Sequence, residues 1–222
     1  MWDPVWEKTF KNQAWGKYPA EDLIRFIARN FYNVPDRSNV KILELGCGPG
    51  CNIWFLAREG FSFVGIDGSP TAIEQASRRL DAEVPGWREK SQLLVGDIAN
   101  LPFDNNYFDA AIDSEAVSCN DFDASLNIYT EVARVLKENG DIFVRTFATG
   151  TWGDKTGTNL GGHAWLCAEG PAEGKGLTRF AEVNEISMLM KDYSIISIEM
   201  ITRTMEQRQF QLNEWIIHGK KA

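Results

Sequence analysis

Apolar positions along this chain repeat with two periods in turn. Residues 40–45 and 62–67 are short runs rich in Val, Ile, Leu and Phe, as strands buried on both faces are, and each leads through a turn into apolar residues at helical spacing. Helices are expected over residues 19–31, carried by Leu23, Ile24, Ile27 and Phe31, over 52–58 ending at Gly60, and over 71–83 behind a Ser69 cap and Pro70. Strands are expected at 91–98 and 107–113. A helix over 124–136 has the stripe Leu126, Ile128, Tyr129, Val132, Val135 and Leu136. Strand and helix alternating in this way cross over right-handed. The fold class is therefore α/β, a doubly wound Rossmann-like sheet with helices on both faces.

The pattern weakens after residue 148. Residues 149–178 are rich in glycine without a period, and a loop of that length in a compact domain is usually functional or disordered. A last helix is expected over 180–190, starting near Ala181, and residues 193–204 and 210–218 read as a β-hairpin around EQRQ. No internal repeat or second-domain boundary is visible, so residues 1–222 read as one domain.

Chemistry concentrates at the end of the first strand. Gly46 allows a tight exit from the strand, Gly48 lets backbone approach a ligand beside Cys47, and Gly50 lets the next helix pack closely. Asp67, followed by Gly68, ends the second strand about 20 residues after the first glycine, where an acid meets ribose hydroxyls. The pair reads as a site for an adenosine-containing cofactor. Dinucleotide binders carry G-x-G-x-x-G and hold a pyrophosphate at the helix start. Here the spacing is G-x-G-x-G behind Glu44, an acid that repels a pyrophosphate and attracts an ammonium or sulfonium.

ELGCGPG at residues 44–50 resembles the first motif of the class I S-adenosyl-L-methionine (SAM) methyltransferases, and GDIANLPFDNNYFD at 96–109 resembles the segment after the third strand in their small-molecule, methyltransferase type 11-like branch. KENGDIFVRTF is similar to the family's turn and fifth strand, with Glu138-Asn139-Gly140 where Pro-Gly-Gly is commoner; Asn and Gly both tolerate the turn. The resemblance is specific over residues 40–147. It implies SAM as cofactor, S-adenosyl-L-homocysteine (SAH) as product, and a seven-stranded mixed sheet with an antiparallel last strand. It also implies that the Asp97 carboxylate accepts from the adenine amino group and that the Ile98 backbone meets the ring edge. Backbone groups of Asp113 and Ser114 would then meet the methionine part.

Composition narrows the partners. A formal net charge of -8 without any Lys/Arg-rich run argues against nucleic acid, whose phosphates want a basic patch. No run is long enough to span a bilayer and residues 1–10 do not read as a signal peptide, so a cytoplasmic protein without membrane contact is expected, as monomer or homodimer. The four cysteines lack zinc-type spacing, and no metal is expected; thiol chemistry at Cys119 and Cys167 is the minor alternative to free thiols.

Three segments bear on the acceptor. Trp2, Trp6 and Phe10 are spaced like one helix face, and residues 1–35 are read as a lid and helix; Trp15 and Tyr18 are its candidate rings over the cofactor, where an aromatic face near a sulfonium is worth about 0.5–2 kcal/mol. Residues 150–180 are read as the acceptor cap, between a cofactor core and a final helix and hairpin at 181–222. If the acceptor is a hydroxyl, His163 in that cap is the first candidate general base and Glu115, after the fourth strand, the second. Transfer by positioning alone needs neither. The expected activity is SAM-dependent O- or N-methylation of a small-molecule acceptor. The rival readings are a SAM-binding module without turnover, a nicotinamide-dependent oxidoreductase and a SAM-using transferase of another group.

Overall fold

A computed structural model describes residues 2–222. Helices α1 (Val5–Asn12) and α2 (Glu21–Phe31) precede β1 (Lys41–Leu45), α3 (Cys51–Arg58), β2 (Ser62–Asp67), α4 (Pro70–Glu83) and β3 (Gln92–Val95). Then come β4 (Phe108–Ser114), α5 (Phe122–Val135), β5 (Leu136–Phe147), the short strands β6 (Thr158–Gly161), β7 (Ala164–Leu166) and β8 (Leu177–Arg179), α6 (Val183–Leu189), β9 (Tyr193–Met205) and β10 (Phe210–Lys221). Seven strands form one sheet in the order β3-β2-β1-β4-β5-β10-β9. The first five run parallel, and β10 lies antiparallel between β5 and β9, as the family resemblance implies. Strand order reverses between β1 and β4, and their carboxyl ends part there into the crevice where such sheets take ligands.

Consecutive β1 residues feed opposite faces, which is why the run looks continuously apolar. Leu43 and Leu45 pack with Ile128, Tyr129 and Val132 of α5 and Ile186 of α6. Ile42 packs with Leu23 and Ile27 of α2 and Ile53 and Leu56 of α3. Each such side chain buried fully is worth about 1.5–3 kcal/mol against exposure, so one strand holds both helical layers.

Boundaries depart from the sequence reading where local chemistry outweighs pattern. β3 ends at Val95, before Asp97, and α5 begins at Phe122 because the Asp121 carboxylate accepts from the Ala124 N–H at 2.8 Å. The segment without a period contains a three-stranded sheet of order β6-β7-β8, whose strands of three or four residues are too short to show alternation. α6 starts at Val183 rather than near Ala181, where a capping box of Glu182 and Glu185 satisfies its first N–H groups.

Candidate active site

The turn after β1 is tied to the end of β2 by one carboxylate. Asp67 Oδ2 accepts from the Gly48 N–H and Oδ1 from the Ser69 N–H, both at 2.8 Å, and burial pushes its pKa up against these bonds. Gly46, at φ +57°, lies where a Cβ would stand 2.4 Å from the Ala116 Cβ, so the loops after β1 and β4 meet only because it has none. Glu44 is buried one residue before the strand ends. Its Oε1 accepts from Asn52 Nδ2 at 2.8 Å, while Oε2 is buried without any hydrogen bond, and burial pushes the carboxyl up to about 8.

These loops form the floor of a cavity of about 410 Å³. Its roof is the N-terminal segment, where Trp6 and Phe10 set their rings edge-on to Trp15 at 5.9 and 5.3 Å. The Glu7 carboxylate fastens this segment by accepting from the Ser69 and Thr71 hydroxyls at the start of α4. Those bonds, with Lys11, hold it down at about 2. Gln75 Nε2 donates to the Phe10 carbonyl and Arg79 Nη1 to the Lys17 carbonyl, extending the seam along α4. Trp2 lies against Gly68, at a spot a side chain there would occupy.

At the far end four charged side chains meet. Glu115 follows β4 at φ +64°, a left-handed conformation unusual for a non-glycine residue and common at functional sites. Arg145 on β5 donates from Nε and Nη2 to Glu214 of β10 at 2.8 and 2.7 Å, and Arg203 on β9 donates to the same carboxylate at 3.1 Å. Glu115 Oε1 stands 3.4 Å from Arg145 Nε. Burial, and after it the neighbouring Glu214 carboxyl, pushes Glu115 up to about 8, so it holds a proton at neutral pH.

The structure brings Glu44, Gly46, Cys47, Gly48, Asp67, Gly68, Asp97, Ile98, Ser114, Glu115, Trp15 and Tyr18 to this cavity. Three expected residues are not on its wall. Gly50 caps α3, and a Cβ there would come within 2.9 Å of the Ala76 Cβ, so it serves the packing of α3 on α4. Asp113 is fully buried, accepting from the Ala116 and Val117 N–H groups at 3.0 and 3.1 Å and from the Tyr129 hydroxyl at 2.7 Å; it builds the turn that presents Ser114 and Glu115. His163 sits in the β6–β7 turn between Glu182 and Glu185, at 3.5 and 3.2 Å, off the cavity wall. The expectation of a histidine base is corrected accordingly, because the cap's own small sheet turns that residue toward α6.

Asn52, Arg145, Arg203 and Glu214 went unnoticed in the sequence. Asn52 alone had a local signal, as a polar residue eight positions after Glu44 in the first turn of α3. Cys119 lines the cavity with its thiol pushed up to about 12 by burial, whereas Cys167 is buried off its wall, so the two share no thiol site there. Among the described residues no group of three or more His, Cys, Asp or Glu is arranged to hold a metal, and no helix is long and apolar enough to cross a membrane.

Fold and crevice define a doubly wound α/β protein with a ligand site at its topological switch point. A family profile described as a methyltransferase domain matches residues 42–140, the stretch that holds the glycine turn and strands β1 to β4, and it supports a class I SAM-dependent methyltransferase family for this chain. Among curated proteins it is similar to the phthiotriol/phenolphthiotriol dimycocerosates methyltransferase of Mycobacterium leprae, 35% identical over 107 residues that make 47% of this chain and 37% of that one. It is also similar to the 18S rRNA (guanine-N(7))-methyltransferase of Bos taurus, 37% identical over 90 residues, 39% of this chain and 29% of that one. The chain thus spans only 37% and 29% of the length of these two relatives. A SAM-dependent methyltransferase from Methanosarcina mazei shares the fold at a TM-score of 0.71 with 22% identity, covering 92% of this chain and 98% of its own.

Proposed function

We propose that this protein transfers the methyl group of SAM to an oxygen or nitrogen of a small-molecule acceptor. The observation that carries the reading is the orphaned, buried Oε2 of Glu44 on the cavity wall: a buried carboxylate oxygen without a partner is costly, and a bound cation removes that cost. SAM fits it, being positively charged at both sulfur and amino group. A pyrophosphate there would face a carboxyl instead, which disfavours the nicotinamide reading.

SAM supplies an electrophilic methyl group whose leaving group needs no protonation. The chain's part is to bind, orient and exclude water. Glu44 holds the cationic end, Asp67 the ribose hydroxyls, Asp97 and Ile98 the adenine, and Ser114 the methionine part. Trp15 and the other lid rings close the cavity, and residues 150–180 serve as acceptor cap through Pro171, Ala172 and Thr178 on the same wall. Aligning two reactants in such a site contributes up to about 7–11 kcal/mol. Glu115, on the cavity wall beside Arg145, is the group that accepts a proton from a hydroxyl acceptor as pH rises through about 8.

The cavity continues past Ser114 to Glu115, Arg145 and Leu212, which supports turnover over a module that only binds SAM. The net charge of -8 favours a small molecule over RNA. Calorimetry with SAM, SAH and NAD, followed by radiolabelled methyl transfer to a panel of metabolites and to RNA, tests the reading. Tight NAD binding without heat from SAM or SAH would overturn it.

A further inference from the structure

The acceptor end of the cavity holds two guanidinium groups against one fully committed carboxylate. Glu214 is completely buried on β10, the strand between those of Arg145 and Arg203, and accepts from both. Glu115 is the second carboxyl, its Oε1 3.4 Å from the Nε of the Arg145 that also serves Glu214; burial and that neighbouring carboxyl push it up to about 8, so the pair retains one proton at neutral pH. Two guanidinium charges, one carboxylate and one carboxylic acid leave a single positive charge.

That charge has donors to spare. Among the described residues the Arg203 side chain makes one hydrogen bond, from Nη2 to Glu214, so Nε and Nη1 are uncommitted; on Arg145 the same holds for Nη1. Both residues line the cavity. Around them Phe147 and Leu212 form apolar wall, and Asn120 and Thr178 supply polar edges. Lys175 and Asp3, on the same wall from cap and lid, add charges of opposite sign and leave the balance unchanged. A neutral acceptor would leave that net charge beside a sulfonium, met only by solvent at Arg203, whose side chain is 56% exposed. A monoanion neutralises it.

We propose that Arg203, with the free edge of Arg145, anchors a carboxylate of the acceptor, so that the methylated molecule is a carboxylic acid with an apolar body. The guanidinium fork suits a carboxylate, and Glu214 keeps it aimed by holding the other edge. Arg203 is thus a specificity-determining residue. The proposal rests on the methyl-transfer reading.

The test is calorimetry on the full chain saturated with SAH, comparing benzoate with benzamide and hexanoate with hexanamide. Each acid is expected to bind about tenfold or more tightly than its amide, one charge-assisted pair being worth about 1.5–3 kcal/mol. Arg203→Gln should erase the preference with SAH affinity unchanged, and Arg203→Lys should keep part of it. Equal binding of acid and amide, no binding of either acid, or a preference that survives Arg203→Gln would overturn the proposal. Protein that binds no SAH would sink the methyl-transfer reading and this inference with it, whereas SAH binding without an acid preference sinks this inference alone.

Discussion

The two ends of the cavity are electrostatic opposites built in different ways. At the glycine-turn end Glu44 and Asp67 stand at the carboxyl ends of the neighbouring parallel strands β1 and β2; Glu44 meets Asn52 only eight positions on and keeps one oxygen without a partner. At the other end Glu115, Arg145, Arg203 and Glu214 come from β4's exit loop and three strands, and the Arg145–Glu214 pair spans 69 positions. A short-range motif therefore leaves a buried carboxyl oxygen without a partner, while the other end joins a buried carboxylate to two guanidinium groups drawn from distant strands.

If the acceptor side is a network, breaking it should cost the most. Glu214→Ala removes a fully buried carboxylate and leaves the mostly buried Arg145 guanidinium without its partner, and we expect a loss of about 3–5 kcal/mol, read as a fall in the midpoint of thermal or urea unfolding. A change below about 1 kcal/mol would mean the quartet is solvated, and the contrast between the two ends would disappear.

The glycine-turn end should instead fail in binding. Glu44→Gln can keep an acceptor for Asn52 but cannot ionise when a cation arrives beside it, so SAH affinity should drop about 10- to 100-fold in calorimetry. Stability should hold or rise slightly, since a carboxyl pushed up to about 8 by burial is destabilising once the unfolded chain ionises.

Linkage sharpens the comparison further. Glu115 and Glu44 both titrate near 8 when folded, so the folded state retains their protons where the unfolded chain, near 4.5, has released them. Stability should fall as pH rises from about 4.5 to about 8, and Glu115→Gln should flatten that slope. An unchanged slope in that variant would remove the shared proton from the account.

The smallest effect belongs to the lid. Glu7, at about 2 against an unfolded 4.5, contributes stability above 4.5 that is lost as pH falls toward 2. Glu7→Gln should weaken that acid dependence and increase hydrogen exchange at Trp6 and Phe10 with little change in the global midpoint.

Legibility followed the same division. The doubly wound sheet, its antiparallel last strand and the cavity positions of Glu44, Asp67, Asp97 and Ser114 follow from residues close in the chain, or from a resemblance those residues carry. His163 misled because a residue's type says what it can do and its strand pairing decides where it stands; the β6–β7 turn puts it beside Glu182 and Glu185. Arg203 and Glu214 look like ordinary surface charges on a hairpin, and nothing local marks Glu214 as fully buried.

What the sequence determined alone is the scaffold and the cationic preference of one end, because buried strands, glycine turns and an acid beside them act over a few residues and leave their period in the chain. Which side chains face the acceptor was decided only when β10 slid between β5 and β9. Charges far apart in sequence acquire partners, burial and shifted protonation from sheet register, and register is a property of the assembled fold.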